Sequence, residues 1–264
     1  QSALDLTVSL AEEAITNGAE FITTPEYCGG LKTEGSTFAP PSAPEESHPV
    51  LNGLQTFAKN KNKFVLIGSI AIDGPDNKIL NRSFVIDNQG NIVSRYDKIH
   101  LFDVNLSEQQ SYRESASVHG GNNAVICQTP FAKMGQTVCY DLRFPNLYRE
   151  LSQSGAEILF VPAAFTKKTG EAHWHVLNRA RAIENGAFVV APCAIGKVDG
   201  GGASYGHSLI INPWGEILAD GGDQVGVISA VIDIDEVGIA RQRIPSLCHD
   251  RSFALTKDVG LVAA

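Results

Sequence analysis

An α/β fold with strands buried between layers is predicted by three features of the chain. Helical and extended patterns alternate along its length, several extended runs are continuously apolar, and no linker or composition shift divides it. Its 264 residues, 43% hydrophobic and 19% charged, suffice for one domain with a substantial core.

Leu4 to Asn17 predicts a short amphipathic helix, with Leu4, Val8, Ala11 and Ile15 on one face and Gly18 as its stop. Glu20 to Thr24 is short and β-rich. It ends at Pro25, which pushes the preceding residue out of helical geometry, so Glu26 emerges at the carboxyl edge of a strand. Lys32 to His48 is polar and carries Pro40, Pro41 and Pro44, which predicts a long surface loop forming a cleft wall. Val50 to Asn60 reads as a helix. Phe64 to Ala71, Leu80 to Asp87 and Asn91 to Tyr96 read as strands, the latter two joined by a turn at Asp87-Asn-Gln-Gly-Asn91. The second half repeats the pattern: a strand ending at Cys139, a helix from about Asn146 to Ser154 closed by Gly155, and a strand from Glu157 to Pro162. A helix from Glu171 to Asn185 closed by Gly186 follows, then strands at Ala187 to Ile195, Ser204 to Asn212 and Val225 to Asp233.

Lys plus Arg is 21 against 29 Asp plus Glu, a formal charge of −8, which argues against a nucleic-acid backbone or an anionic membrane surface as partner. No run approaches the roughly 18 apolar residues of a membrane span, and the first residues lack a basic-then-apolar leader pattern, so a soluble cytoplasmic protein is expected. The cysteines, at 28, 127, 139, 193 and 248, are odd in number and have no C-x-x-C spacing. Disulfides and structural zinc are therefore not expected, and each thiol is either a small buried hydrophobe or a reactive group.

Three strand ends deliver chemistry: Glu26 in Thr-Thr-Pro-Glu-Tyr, Lys98 in Tyr-Asp-Lys-Ile-His-Leu-Phe, and Cys139 in Gly-Gln-Thr-Val-Cys-Tyr-Asp-Leu-Arg. A carboxylate, an ammonium and a thiol suffice for acyl transfer: Lys⁺ lowers the thiol pKa, and the carboxylate takes its proton and returns it to a leaving amine. Periodicity alone does not bring the three together; a cysteine at a strand end is more often packing, and most glutamates and lysines are solvated. Two other patterns are set aside. Gly202-Ala-Ser-Tyr-Gly206 matches a nucleophile elbow but precedes a strand, not a helix, which makes Ser204 structural or pocket-lining. His173 and His175 suggest a metal pair or a cysteine-peptidase base, yet two residues apart on a helix they face different sides, with no third ligand in view and no peptidase spacing.

The three segments resemble the nitrilase superfamily of carbon–nitrogen hydrolases, which carries a Glu-Lys-Cys triad in this order. The likeness continues through Val161-Pro-Ala-Ala-Phe165, Ala172-His-Trp174, Arg179-Ala-Arg-Ala-Ile-Glu-Asn185 and Gly206-His-Ser-Leu-Ile-Ile-Asn-Pro-Trp-Gly215, covering residue 4 to about 250. It implies a four-layer α-β-β-α sandwich in one domain over residues 1–264, with no cofactor and no metal. The family's opening strand, before the first helix, is missing from the start of this sequence, which implies that it precedes residue 1 or is truncated. By the same resemblance Cys139 is the nucleophile, Glu26 the general base and Lys98 the oxyanion stabiliser. Glu114, in Tyr-Arg-Glu-Ser, matches a second glutamate that orients the triad, although Arg113 and its polar loop could leave it on the surface. The Tyr140 backbone N–H would complete the oxyanion hole.

The Cys-Tyr-Asp-Leu-Arg-Phe-Pro, Ala-Ser-Tyr-Gly-His-Ser and Pro-Trp-Gly segments resemble the deaminated glutathione amidase branch, related to the omega-amidases. Arg143 suits a substrate carboxylate, which a guanidinium fork binds bidentately, and Phe165 and Thr169 suit the pocket wall. The expected reaction releases ammonia from a small carboxylate-bearing amide. Hydrolysis of 2-oxoglutaramate, of an N-carbamoyl amino acid or of a nitrile are alternatives, as is an idle scaffold on the same fold. Alkylation of Cys139 ahead of the other four thiols would separate enzyme from scaffold. The resemblance also implies a homodimer or larger homo-oligomer paired through outer helices, the Glu171 to Asn185 helix among them.

Overall fold

The computed structural model describes residues 2–108 and 110–256, so the ends of the expected 1–264 domain lie outside the described residues. Helix α1 (Ala3–Thr16) opens on a capping box in which Ser2 Oγ accepts from the Asp5 N–H and the Asp5 carboxylate accepts from the Ser2 N–H. Strand β1 (Phe21–Thr23) follows. The expected loop contains structure: β2 (Thr33–Glu34) and β3 (Thr37–Phe38) form a hairpin, and β4 (Ser42–Ala43) pairs with the next long strand. Helix α2 (Pro49–Lys61) starts on a proline, whose missing N–H costs nothing there, and ends on Asn62 in the left-handed region. Three strands follow, β5 (Phe64–Asp73), β6 (Ile79–Ile86) and β7 (Ile92–Asp97).

The hairpin β8 (Asp103–Ser107) and β9 (Gln110–Arg113) and the strand β10 (Val125–Gln128) precede β11 (Lys133–Gln136). None of the three is predicted: the stretches of β8 and β9 are polar, and β10 is only four residues long. Helix α3 (Pro145–Gln153), β12 (Ile158–Phe160) and the short turn α4 (Lys167–Thr169) come next. The single helix expected from Glu171 to Asn185 is instead a π-helical turn over Gly170–Trp174 leading into α5 (His175–Asn185). A Cβ on Gly170 would lie 2.3 Å from the Tyr205 ring, so close packing against that ring reshapes the backbone here.

The strand expected at Ala187 to Ile195 divides into β13 (Phe188–Ala191) and β14 (Ile195–Lys197). That at Ser204 to Asn212 divides into β15 (Ala203–Tyr205) and β16 (Leu209–Ile211), where Gly206 and His207 both turn left-handed. Strand β17 (Ile217–Asp220) and helix α6 (Asp235–Arg243) complete the chain. Val225 to Asp233 is not a strand: Ile232 packs into the core and Val231 lies 95% exposed, as alternation demands, but the segment joins no ladder.

One sheet runs β1-β5-β6-β7, with β4 also on β5, and the other β10-β11-β12-β13-β16-β17. Leu66 and Val85 of the first meet Met134, Ile158, Phe160 and Phe188 of the second, so the sheets pack face to face. Helices α1 and α2 cover the outer face of the first through Ala11, Leu51, Leu54 and Phe57, and α3 and α5 that of the second through Tyr148, Leu151 and Ala182. Burying each large side chain contributes about 1.5–3 kcal/mol. The result is the α-β-β-α sandwich. Among the described residues no helix is long and apolar enough to cross a membrane.

Candidate active site

Glu26 leaves β1 through Thr24 and Pro25, a segment pressed onto β5. Gly68 permits the approach, since a Cβ there would lie 2.0 Å from the Thr24 carbonyl oxygen. The Gly68 N–H donates to Thr24 Oγ1 at 3.0 Å and the Tyr27 N–H to Ser69 Oγ at 2.9 Å, so the exit from the strand is held rigidly. Lys98 follows β7, its N–H donating to the Asn81 carbonyl at 3.0 Å. Cys139 lies beyond β11 at φ 50°, a left-handed conformation costly for a side-chain-bearing residue, and its N–H donates to the Pro162 carbonyl at 2.9 Å.

The buried Asp141 carboxylate ties the lysine and cysteine segments together. It accepts from the Tyr96 hydroxyl at 2.6 Å, the Val138 N–H at 2.8 Å and the His100 N–H at 3.0 Å, with His100 Nδ1 at 2.7 Å. Arg181 of α5 donates twice to the Leu142 carbonyl, at 3.1 and 2.7 Å, fixing the same turn to the outer helix layer.

Lys98 Nζ donates to Glu26 Oε1 at 3.0 Å and to both Glu114 oxygens at 3.0 and 2.9 Å, with all three residues buried. Glu114 is therefore not on the surface beside Arg113; the Phe102 N–H donates to it at 2.6 Å. The second Glu26 oxygen accepts from the Ala164 N–H at 2.8 Å. Asn81, on β6, is absent from the sequence-derived candidates. Its amide donates to Glu26 Oε1 at 2.9 Å and to Glu114 Oε1 at 3.2 Å, spacing two carboxylates that would otherwise repel. Next to Arg82 and Ser83 in the sequence it leaves no distinct signal; only its complete burial in β6 marks it out.

Burial pushes the Cys139 thiol well above its ordinary pKa, helped by the negative charge of Glu26 and the hydrogen bond to it, and Lys98 offsets only part of this. Lys98 thus lowers the thiol pKa as expected, but burial and Glu26 outweigh it and the net shift is upward. Burial works against the Lys98 charge, yet Glu114 and Glu26 outweigh it and hold the ammonium well above the usual range. Burial raises the Glu114 carboxyl, Lys98 partly countering it. Burial also pushes Cys28 up to about 11 and Cys193 to about 12, and raises Cys127. Cys248 is exposed, so an alkylating reagent meets it before it reaches Cys139.

Glu26, Lys98 and Cys139 meet at one cavity. Phe38, Phe102, Tyr112, Tyr140 and Phe165 make its walls apolar, and Thr33, Thr169 and Ser204 supply hydroxyls. Ser204 is on β15, not on an elbow before a helix. Arg143 does not line the cavity. Its guanidinium carbon lies 5.9 Å from the Tyr140 ring centroid and 5.4 Å from that of Phe165, and it contacts His173 Nδ1 at 3.2 Å. The expected loop forms part of the wall through Thr33 and Phe38, closed against the 198–203 segment by the Thr33 N–H donating to the Asp199 carbonyl at 2.8 Å. A buried thiol, a carboxylate and an ammonium lining one cavity can add to a carbonyl and move one proton in each direction.

The carbon–nitrogen hydrolase family model matches residues 1–242. The deaminated glutathione amidase of Synechocystis is 40% identical over 244 residues, spanning 91% of this chain and 89% of the relative. The Homo sapiens omega-amidase NIT2 is 31% identical over 244 residues, 92% of this chain and 87% of its own. Among solved structures, the Caenorhabditis elegans NitFhit protein superposes with a TM-score of 0.85 at 28% identity over 94% of this chain; the chain spans 61% of that longer protein.

Proposed function

Because the chain belongs to the carbon–nitrogen hydrolase family, we propose that it is a cysteine-dependent amidase that releases ammonia from a small carboxylate-bearing amide, deaminated glutathione first. The observation that carries this reading is the buried contact of Lys98 with Glu26 at 3.0 Å, in a cavity that Cys139 also lines. Glu26 takes the thiol proton as sulfur adds to the amide carbonyl. Lys98 and the Tyr140 backbone N–H stabilise the oxyanion. Glu26 returns the proton to nitrogen as the C–N bond breaks, so ammonia leaves and a thioester remains on Cys139. Water then adds to the thioester with Glu26 accepting its proton, and the carboxylic acid and free thiol are regenerated. Glu114 keeps Lys98 charged and oriented. Arg143 would meet the substrate carboxylate at the mouth by leaving His173, with Phe165 and Thr169 against the substrate body.

Ammonia release from deaminated glutathione, 2-oxoglutaramate, succinamate, glutamine, an N-carbamoyl amino acid and a simple nitrile tests the assignment. Turnover of the first without carbon dioxide is expected. Preference for 2-oxoglutaramate supports the omega-amidase alternative, and carbon dioxide released with ammonia supports carbamoyl hydrolysis. Silence across the panel, with an inert Cys139, overturns the enzymatic reading in favour of a binding scaffold.

A homodimer paired through α5 is the second part of the proposal. Val176, 67% exposed, and Ile183, 52% exposed, lie seven residues apart on one face of α5 and present apolar surface that water solvates poorly. Sedimentation velocity at micromolar concentration should give twice the chain mass, and Ile183→Glu should halve it; a wild-type chain that sediments as a monomer refutes the pairing.

A further inference from the structure

We propose that His175, His207 and Asp220 form a divalent metal site of the zinc class outside the catalytic cavity. The His173–His175 pair considered from sequence does not form, since His173 turns to Arg143 and His175 turns away from it. His175 instead meets two residues far along the chain. Its Nε2 lies 3.0 Å from Asp220 Oδ2, and His207 Nδ1 lies 2.9 and 3.2 Å from the two Asp220 oxygens. The three ligand atoms all fall within 4.8 Å of one another, the one such grouping of histidine, cysteine and carboxylate side chains among the described residues. Atoms that share a zinc ion at 2.0–2.2 Å are spaced about 3.0–3.5 Å apart, so the two imidazoles and the carboxylate need only small shifts to enclose an ion. Two imidazoles and one carboxylate are a borderline donor set that suits zinc over calcium or magnesium, and a fourth position stays open to water.

The backbone holds each ligand in place. His207 sits at φ 54°, left-handed and costly for a histidine; its N–H donates to the Gly222 carbonyl at 2.7 Å and its carbonyl accepts from Trp174 Nε1 at 2.7 Å. That conformation aims the ring at Asp220. Tyr205 stacks on the far side, with ring centroids 4.5 Å apart. Asp220 also accepts from the Gly222 N–H at 2.9 Å. His175 opens α5, so the three side chains join that helix to the β15–β16 link and the end of β17. All three are partly exposed, which gives an ion a path in. In its bond to Asp220 each ring's facing nitrogen carries the proton; on binding that nitrogen gives it up, by a change of tautomer in a neutral ring or by release from a protonated one, and presents its lone pair to the ion.

The test is zinc titration of the chelator-stripped protein by calorimetry, with X-ray absorption at the zinc edge on the loaded form. One ion per chain with nitrogen and oxygen neighbours and no sulfur is expected. His175→Gln and Asp220→Asn should each weaken it by about 100-fold or more, since outer contacts alone cost 10–100-fold. Asn keeps the acceptor for the Gly222 N–H, so Asp220→Asn reads the site even if His175→Gln folds poorly. His173→Gln and Cys139→Ala should bind as the wild type does. Binding that survives both ligand variants, sulfur in the absorption spectrum with loss in Cys139→Ala, or no binding tighter than about 100 µM each overturns the proposal.

Discussion

Replacing Cys139 by alanine is expected to lower amide turnover by at least about 10⁴-fold while the protein folds as before. Without the sulfur no thioester forms, and only the binding and polarising power of the site remains, which in hydrolases of this logic is a small residue of the full rate. The fold should tolerate the change. Alanine keeps the Cβ, and Glu26 retains its bonds from Asn81, Lys98 and the Ala164 N–H. Stability should therefore move by no more than about 1 kcal/mol. Steady-state ammonia release and thermal unfolding check both halves, and mass spectrometry of acid-quenched wild type should show the acyl group on Cys139. Turnover within tenfold of wild type, or an acyl group on another residue, would sink the mechanism.

Lys98→Met should cost both stability and rate. The ammonium is 2% exposed and is the cation between Glu26 and Glu114; its loss leaves two buried carboxylates facing one another across Asn81. Removing one partner of a buried ion pair costs about 3–5 kcal/mol, because the remaining charge is uncompensated. The penalty should depend on pH with a definite sign. Burial already lifts the Glu114 carboxyl, and without Lys98 it rises further. A carboxyl whose folded pKa exceeds its unfolded value favours the folded state at low pH and loses that contribution as pH rises through the folded pKa. The variant should thus unfold far more readily than wild type at pH 8 and regain part of the difference by pH 5. Turnover should fall by about 10²–10³-fold, the usual worth of an oxyanion donor. Asn81→Leu, which removes the spacer and leaves the cation, should cost less, about 1–3 kcal/mol, with the loss in kcat rather than KM. Chemical denaturation of the variants at both pH values, paired with kinetics, gives the result. A Lys98→Met protein as stable as wild type at pH 8 would mean that the lysine is not the compensating charge.

Several elements were legible because local pattern and burial coincide. The apolar face of α1, the proline that ends β1 and the turn between β6 and β7 are each written within a few consecutive residues, and the long strands β5 and β6 follow from apolar runs. The four-residue strands β10 and β17 carry too little pattern to be seen. Val225 to Asp233 has a strand's alternation without a partner edge, and periodicity reports which face is buried, not whether a neighbour exists.

By itself the sequence determined the α/β class, the strand ends that deliver Glu26, Lys98 and Cys139, and, through motifs spread over the chain, the hydrolase family. Only the tertiary structure decided that Glu114 is buried against Lys98, that Asn81 spaces the two carboxylates and that Asp141 ties the lysine turn to the cysteine turn. The same packing buries the Cys139 thiol, which raises its pKa, and sets His175 beside His207 and Asp220. Chain order and side-chain chemistry are local properties. Distance, burial and the dielectric that sets a pKa arise only when segments 16 to 72 residues apart, such as Lys98 with Glu114 and with Glu26, pack together.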